Sequence, residues 1–559
     1  MRIQSITITN GLVINPKKLT VLVGPNNVGK SQFLKDIYNY MIKQNNWNPK
    51  IIKKIELVKP TTFNELISNL KRSIHPGNSN LIKIDGLESK LLSGETGTVN
   101  NNDEENYDNT PIETFLQEIG KFHVANLDAA SKLQIATQRG VTRSDTPPPN
   151  LLQVLMMDKT GAEKELENIF KKIFNQHEIK FAVEPADLSF RTAEKFEGEV
   201  PTDLAERIIY FSNYETLNDQ GDGFISFVGV ALSILLCRQR IILLDEPEAF
   251  LHPTQSRSLG RWISEYLKDR DAQIIIATHN ANFLAGILSG TEPVDVFRLN
   301  RTGKNTSFSE ITSDAISDLT KSPILSSQAV HEAIFSEGVV VCEADTDRIF
   351  YQKIFLREHS VDNILFIHSH GKQHIKDIVD LLKKVIVPVS TIVDIDILNL
   401  KDDFKNLLSA FIENIPANYL EEQEKIMKFI DNSSEKEILE KCYGEIEELL
   451  KQLKNKEHTL SGLRSALNRI ESGVKKWKLI KEGGIEAMDN SIKNNAKKLL
   501  KDLKGHGIFI IPVGELESWI KSGLKKNKWI VPALTEIDEG KCPTNLKDFS
   551  KEVIESIKS

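Results

Sequence analysis

The sequence predicts an α/β protein of two consecutive units, each built on buried strands whose carboxyl ends carry the polar chemistry. Three observations predict it. LTVLVGPNNVGKSQFLKDIY, from Leu19, sets a glycine-rich loop between an apolar strand and a helix. IILLDEPEAF from Ile241 and AQIIIATHN from Ala272 are apolar runs that stop at polar residues. GVVVCEADTDRIFYQKIF, from Gly338, opens a second cycle of strand, acidic turn and helix. Short unbroken apolar runs bounded by polar signals suit strands buried on both faces, as in parallel sheets.

The first unit is expected over residues 1–330. Residues 1–35 read as strand, turn, strand, glycine-rich loop and helix. A partly helical insertion follows, about 53–205, with amphipathic pieces such as EKELENIFKKIF, and it is the expected assembly region. Two polar segments interrupt it, GETGTVNNNDEENYDNT from Gly94 and RSDTPPPN from Arg143. The first has almost nothing to bury and reads as a mobile loop. From Ile208 to Leu299 buried strands and helices return. The register changes near SPILSS, Ser322 to Ser327, and the second unit is expected over 331–559. VPVSTIVDIDILN and GIFIIPVGELESWI supply its later strands, and the Lys/Glu-rich stretch between them, about 400–505, reads as a helical insertion with solvated faces.

At 559 residues the chain exceeds one core, and roughly two to four domains are the prior. A net charge of -7 argues against a pervasively basic DNA-coating surface but leaves room for local Lys/Arg patches. Cys237, Cys342, Cys442 and Cys542 form no CxxC pair, so reduced thiols are expected rather than zinc or disulfides. No leader or membrane-length apolar run is evident, and the chain reads as cytoplasmic with no membrane partner.

Gly24 to Ser31, GPNNVGKS, fits G-x-x-x-x-G-K-[ST]. Backbone N–H groups of Gly24, Asn26, Asn27 and Gly29 can wrap phosphates, Lys30 can reach the outer phosphates, and Ser31 can ligate Mg²⁺. Asp245 and Glu246 end a buried strand, where the first carboxylate holds Mg²⁺ and the second polarises the attacking water. His279 ends another apolar strand and is placed to sense a γ-phosphate. A lone histidine is more often a satisfied core residue; its position after the Asp-Glu strand reverses that preference.

These motifs resemble the ABC ATPases of the SMC and RecF type. His252 and Pro253, in DEPEAFLHP, look like that class's extension of the Asp-Glu strand. Gly221, Asp222 and Gly223 stand where its signature loop would contact a nucleotide on a second subunit, although a full LSGGQ is missing. The resemblance implies self-association through the ATPase unit. Gln134 and Gln138 are candidates for a Gln loop.

Glu343 follows GVVV, Asp347 starts the next helix, Asp394 and Asp396 end strand STIV on one side of the chain, and Glu515 and Glu517 follow IFIIP. Acids gathered at strand ends are costly unless cations neutralise them, and two Mg²⁺ or Mn²⁺ ions would do so. Single pairs are commonly solvated caps; three acidic strand ends in one unit are harder to dismiss. The pattern resembles a Rossmann-like Toprim domain. Joined to the ATPase it is similar to the OLD family (overcoming lysogenisation defect). That resemblance implies ATP-linked, divalent-metal-dependent DNA cleavage in bacterial defence against phage, with a second defence protein or a nucleic acid as a possible partner. It carries metal-ligand roles onto Glu343, Asp347, Asp394, Asp396 and Glu517, with Glu515 second to Glu517. Ala344 replaces the family's glycine, which is expected to tighten the turn. The family's late lysine has candidates in Lys521, Lys525, Lys526 and Lys528. The competing reading is a DNA-clamping or scaffolding ATPase with a non-catalytic acidic domain.

Overall fold

The computed structural model describes residues 1–559 except 44–47, 76, 142–147, 149, 176, 238–239, 269, 271, 304, 322–327, 434, 455–458, 461, 468–476, 522–525 and 559. The chain divides into two compact units, Met1–Lys321 and Ser322–Ser559, earlier than the expected 330/331 boundary. SPILSS, six residues of the Arg143 segment and Lys525 lie outside the described residues.

The first unit is centred on a six-stranded sheet. Its order is Asn305–Ile311, Val294–Thr302, Leu19–Val23, Gln273–Ala277, Ile241–Asp245 and Val124–Leu127. All neighbours run parallel except the first pair. The apolar runs behave as their composition demands: every residue of Leu19–Val23 and Gln273–Ala277 is buried. Helix Lys30–Met41 buries Phe33, Leu34, Ile37 and Met41 at helical spacing. The first strand, Arg2–Ile8, lies in a separate antiparallel sheet between Val13–Ile14 and Ile52–Val58.

The stretch 53–205, expected as a partly helical insertion, carries helices but also several strands. Ile52–Val58 pairs with Arg2–Ile8, and Val124–Leu127 is the edge strand of the central sheet. Between them lies an antiparallel sheet of Lys71–Ile74, Leu81–Leu87 and Gly94–Asn100. Glu178–Val183 and Asp187–Ala193 form another hairpin. The polar segment from Gly94 is therefore a strand followed by helix Asn101–Glu105, and not a loop. A polar edge strand is held by its backbone ladder, which composition does not reveal. Close packing adds to it, since a Cβ on Gly97 would sit 2.4 Å from the Glu118 carbonyl oxygen.

The second unit is a parallel four-stranded sheet ordered Ile364–His368, Gly338–Cys342, Val389–Val393 and Ile508–Ile510. Its core gathers Phe350, Tyr351, Trp519, Trp529 and Phe549. The Trp519 indole donates to the Tyr351 hydroxyl at 2.9 Å, so burying both rings leaves neither polar tip stranded. Between the last two strands the described residues from Lys401 to Lys504 form helices and no strand. No described helix of the chain is long and apolar enough to cross a membrane.

Candidate functional site

The phosphate loop is assembled at the carboxyl end of Leu19–Val23. Gly24 has φ +130°, and a Cβ there would lie 2.3 Å from the Leu299 carbonyl oxygen, so only glycine fits. Lys30 Nζ donates to the carbonyls of Gly24 at 2.7 Å and Pro25 at 2.8 Å. Burial pushes the Lys30 ammonium down to about 8. Ser31 Oγ donates to Asp245 at 2.9 Å across two adjacent structural elements. His279 Nδ1 stands 2.8 Å from Glu246. Asn26, Asn27, Gly29, Lys30, Ser31 and Glu246 line a common cavity of about 690 Å³. Gly221 caps helix Asp222–Leu236 with open space around it, whereas Gly223 packs against the Phe250 carbonyl. His252 and Pro253 begin helix Pro253–Leu267.

Two features of this site escape sequence reasoning. Glu246 has φ +50°, the left-handed region that few non-glycine residues adopt. Lys132, fully buried on helix Ala129–Ile135, donates to the carbonyl oxygens of Asp245 at 2.8 Å and of Glu246. That clamp holds the strained turn from below. Gln134 and Gln138 are exposed, and neither lines the nucleotide cavity. A buried lysine on the helix after the edge strand had no sequence signal beyond its neighbours' apolarity.

In the second unit, Glu343 follows Gly338–Cys342, and Asp394 and Asp396 follow Val389–Val393. One carboxylate oxygen from each lies within 4.8 Å of the others. The two aspartates do not share a strand face, as expected from spacing; Asp394 caps a 3-10 turn, Ile395–Asn399, that carries Asp396. The turn brings them together where a continuing strand would have extended them. The Asp394 N–H donates to Glu343 at 2.9 Å. Burial raises the Glu343 carboxyl to about 7, against the pull of Lys372 and that N–H. Burial also acts to raise Asp396, but hydrogen bonds from Lys372 and Lys481 outweigh it and hold it below the ordinary range.

Asp347 lies outside this group. It is buried, and its carboxylate accepts the Ala344 N–H at 3.1 Å, bracing the turn after Glu343. Ala344 has φ -132° and ψ 166°, ordinary extended backbone, so the missing glycine costs no strain. Glu517, in the turn Leu516–Ser518, is likewise not among the three clustered acids. Glu515 lies near enough to Lys481 to act on its charge. Lys521 and Lys528 are exposed and ion-pair with none of the three, and the side chain of Lys526 lies outside the described residues. Among the described residues, the lysines that reach the acids are Lys372, bonded to Asp396, and Lys481, 2.5 Å from the same carboxylate. Neither was foreseen. A cavity of about 620 Å³ opens beside Glu343, lined also by Asp345, His368, His370 and Gly371.

Hard oxygen donors packed this closely, with Asp394 only 8% exposed, suit Mg²⁺ or Mn²⁺ better than any softer ion. Residues 156–285 match the family model described as "AAA domain, putative AbiEii toxin, Type IV TA system", a span that holds Gly221, Gly223, Asp245, Glu246 and His279. The phosphate loop lies N-terminal to it. Residues 334–396 match "Overcoming lysogenization defect protein-like, TOPRIM domain", which holds Glu343, Asp347, Asp394 and Asp396. Similar solved structures include an Smc head bound to the C-winged helix domain of ScpA, at 12% identity and TM-score 0.35, covering 56% of this chain and 98% of that one. Another is the SMC head domain from Thermotoga maritima, at 12% identity and TM-score 0.29, covering 56% of this chain and 100% of that one. No curated protein matches the chain. The chain thus carries an AAA-type ATPase domain followed by an OLD-like TOPRIM domain. The order of the two matches is similar to an ATPase–Toprim fusion of the OLD type, and the fold class is the expected α/β.

Proposed function

We propose that the protein is an ATP-hydrolysing, divalent-metal-dependent DNA endonuclease acting in bacterial defence against phage. The observation that carries the reading is the close approach of Glu343, Asp394 and Asp396 at the ends of parallel strands within the TOPRIM match. These three would hold the ions, and two bound ions would supply charge neutralisation for the attacking and leaving oxygens of a phosphodiester. Asp347 fixes the turn that presents Glu343. His368 and His370 line the cavity and offer hydrogen-bonding groups to a phosphate backbone, and DNA binding is expected to weaken with salt. In the ATPase unit, Lys30 binds the phosphates, Ser31 and Asp245 hold Mg²⁺, and Glu246 with His279 orients the attacking water. Gly221, exposed at a helix start, is offered to a nucleotide on a second copy, which makes the working form an oligomer.

Nicking of supercoiled plasmid with Mg²⁺ or Mn²⁺ tests the reading. Wild type is expected to nick, and EDTA or Glu343→Ala to stop it. Equal nicking by Glu343→Ala sinks it. The scaffold reading draws on one observation, the neutralisation of Asp396 by two lysines, and gains if no divalent ion supports cleavage.

A further inference from the structure

The helical stretch between the last two strands of the TOPRIM unit delivers a charge into the acidic site. Lys481 sits on helix Trp477–Gly483, with its Nζ 2.5 Å from Asp396 Oδ2. Its place is fixed by backbone packing and not by side-chain reach alone. Gly514, at φ +112° in the loop leading to Glu515, presses against the Lys481 backbone so closely that a Cβ would lie 1.9 Å from the Lys481 carbonyl oxygen. Gly484, at φ +61°, makes the same kind of approach to Pro512, and the Ile485 N–H donates to the Pro512 carbonyl at 2.9 Å. The Gly514 carbonyl in turn accepts the Ile395 N–H at 2.9 Å, beside Asp396. Two glycines therefore join the insertion, the last strand's loop and the Asp394–Asp396 turn.

We propose that Lys481 is a positioning residue of the acidic site, acting as the built-in counter-cation of Asp396 and setting how tightly a divalent ion binds there. A metal taking Asp396 must displace the ammonium, so the lysine's attraction is subtracted from metal affinity and its repulsion of a second cation adds to the cost. Lys372 bonds the other oxygen of the same carboxylate from the strand side, but only Lys481 comes from the insertion. The inference rests on the metal-site reading above.

Isothermal titration of the full chain with Mn²⁺ at pH 8, without DNA, tests it. Lys481→Met is expected to bind Mn²⁺ about tenfold more tightly than wild type. Lys481→Arg, which keeps the charge, should stay near wild type, and Lys521→Met, removing an exposed lysine outside the cluster, should change nothing. Gly514→Ala, which must shift the Lys481 backbone, should tighten binding in the same direction. Melting temperatures confirm that each variant is folded; should Lys481→Met fail to fold, Lys481→Gln takes its place with the same expectation. Unchanged or weaker Mn²⁺ binding in the folded charge-removing variant overturns the counter-cation role. If wild type and Asp396→Ala both fail to bind Mn²⁺, the metal-site reading itself is lost.

Discussion

The two acidic sites solve opposite electrostatic problems. In the ATPase unit, Asp245 and Glu246 meet a hydroxyl and an imidazole, and the lone buried cation of the loop, Lys30, is turned onto backbone carbonyls. That site is ready for a polyanion that brings its own cation, because ATP arrives with Mg²⁺. In the TOPRIM unit, three acids crowd within 4.8 Å and two lysines balance one of them. A polyanion cannot approach such a cage until its charge is met. Under the proposed function the difference implies an order of events: nucleotide and metal enter the first site together, whereas metal precedes DNA at the second.

The largest effects are expected in the ATPase site. Lys30→Ala is expected to weaken ATP binding by about a hundredfold or more, since it removes a charge-assisted partner from buried phosphates. Fluorescent-nucleotide titration checks this, and unchanged affinity would remove Gly24–Ser31 as the phosphate loop. Glu246→Gln should keep ATP bound while slowing turnover by about a hundredfold. A wild-type steady-state rate in that variant shows that Glu246 does not orient the water.

Smaller effects sharpen the comparison. Lys132→Met should lower ATP turnover about tenfold with little change in KM, because the strained Glu246 turn loses its clamp while the phosphate loop is untouched. A rise in KM at constant kcat would place Lys132 with the nucleotide contacts instead. The smallest effect is one of pH. Lys30, pushed down to about 8 by burial, is protonated below that value and neutral above it. ATP favours the charged form, so the ATP Kd should rise about fivefold between pH 8 and pH 9. A flat profile across that interval means Lys30 keeps its proton in the free protein.

What the sequence made legible follows the same divide. Gly24–Ser31, Asp245–Glu246 and His279 were readable because the chemistry of nucleotide binding needs a contiguous loop and two strand ends flanked by apolar runs. Glu343, Asp394 and Asp396 were readable for the same reason, since each follows a buried strand. Lys132, Lys372 and Lys481 were not. Each acts across a long sequence separation, and a lysine in a Lys/Glu-rich helix carries no mark distinguishing it from a solvated one. The family pattern drew attention to Lys521–Lys528, whereas Lys372 and Lys481 are the described lysines that meet Asp396. The antiparallel strands within 53–205 were missed because short, half-polar strands share their composition with loops, and tertiary pairing decides between them. Asp394 and Asp396 were read as lying on one strand face, whereas a 3-10 turn brings them together.

The central claim is that the acidic cluster is the proposed cleavage site and is separate from the ATPase site. Asp394→Ala tests it most directly when plasmid nicking with Mn²⁺ and ATP hydrolysis are followed in one purified sample. The account predicts that nicking falls below detection, because too few oxygen ligands remain to hold an ion against its hydration, while ATP turnover stays near wild type. Nicking at the wild-type rate would contradict it and move the scaffold reading to first place.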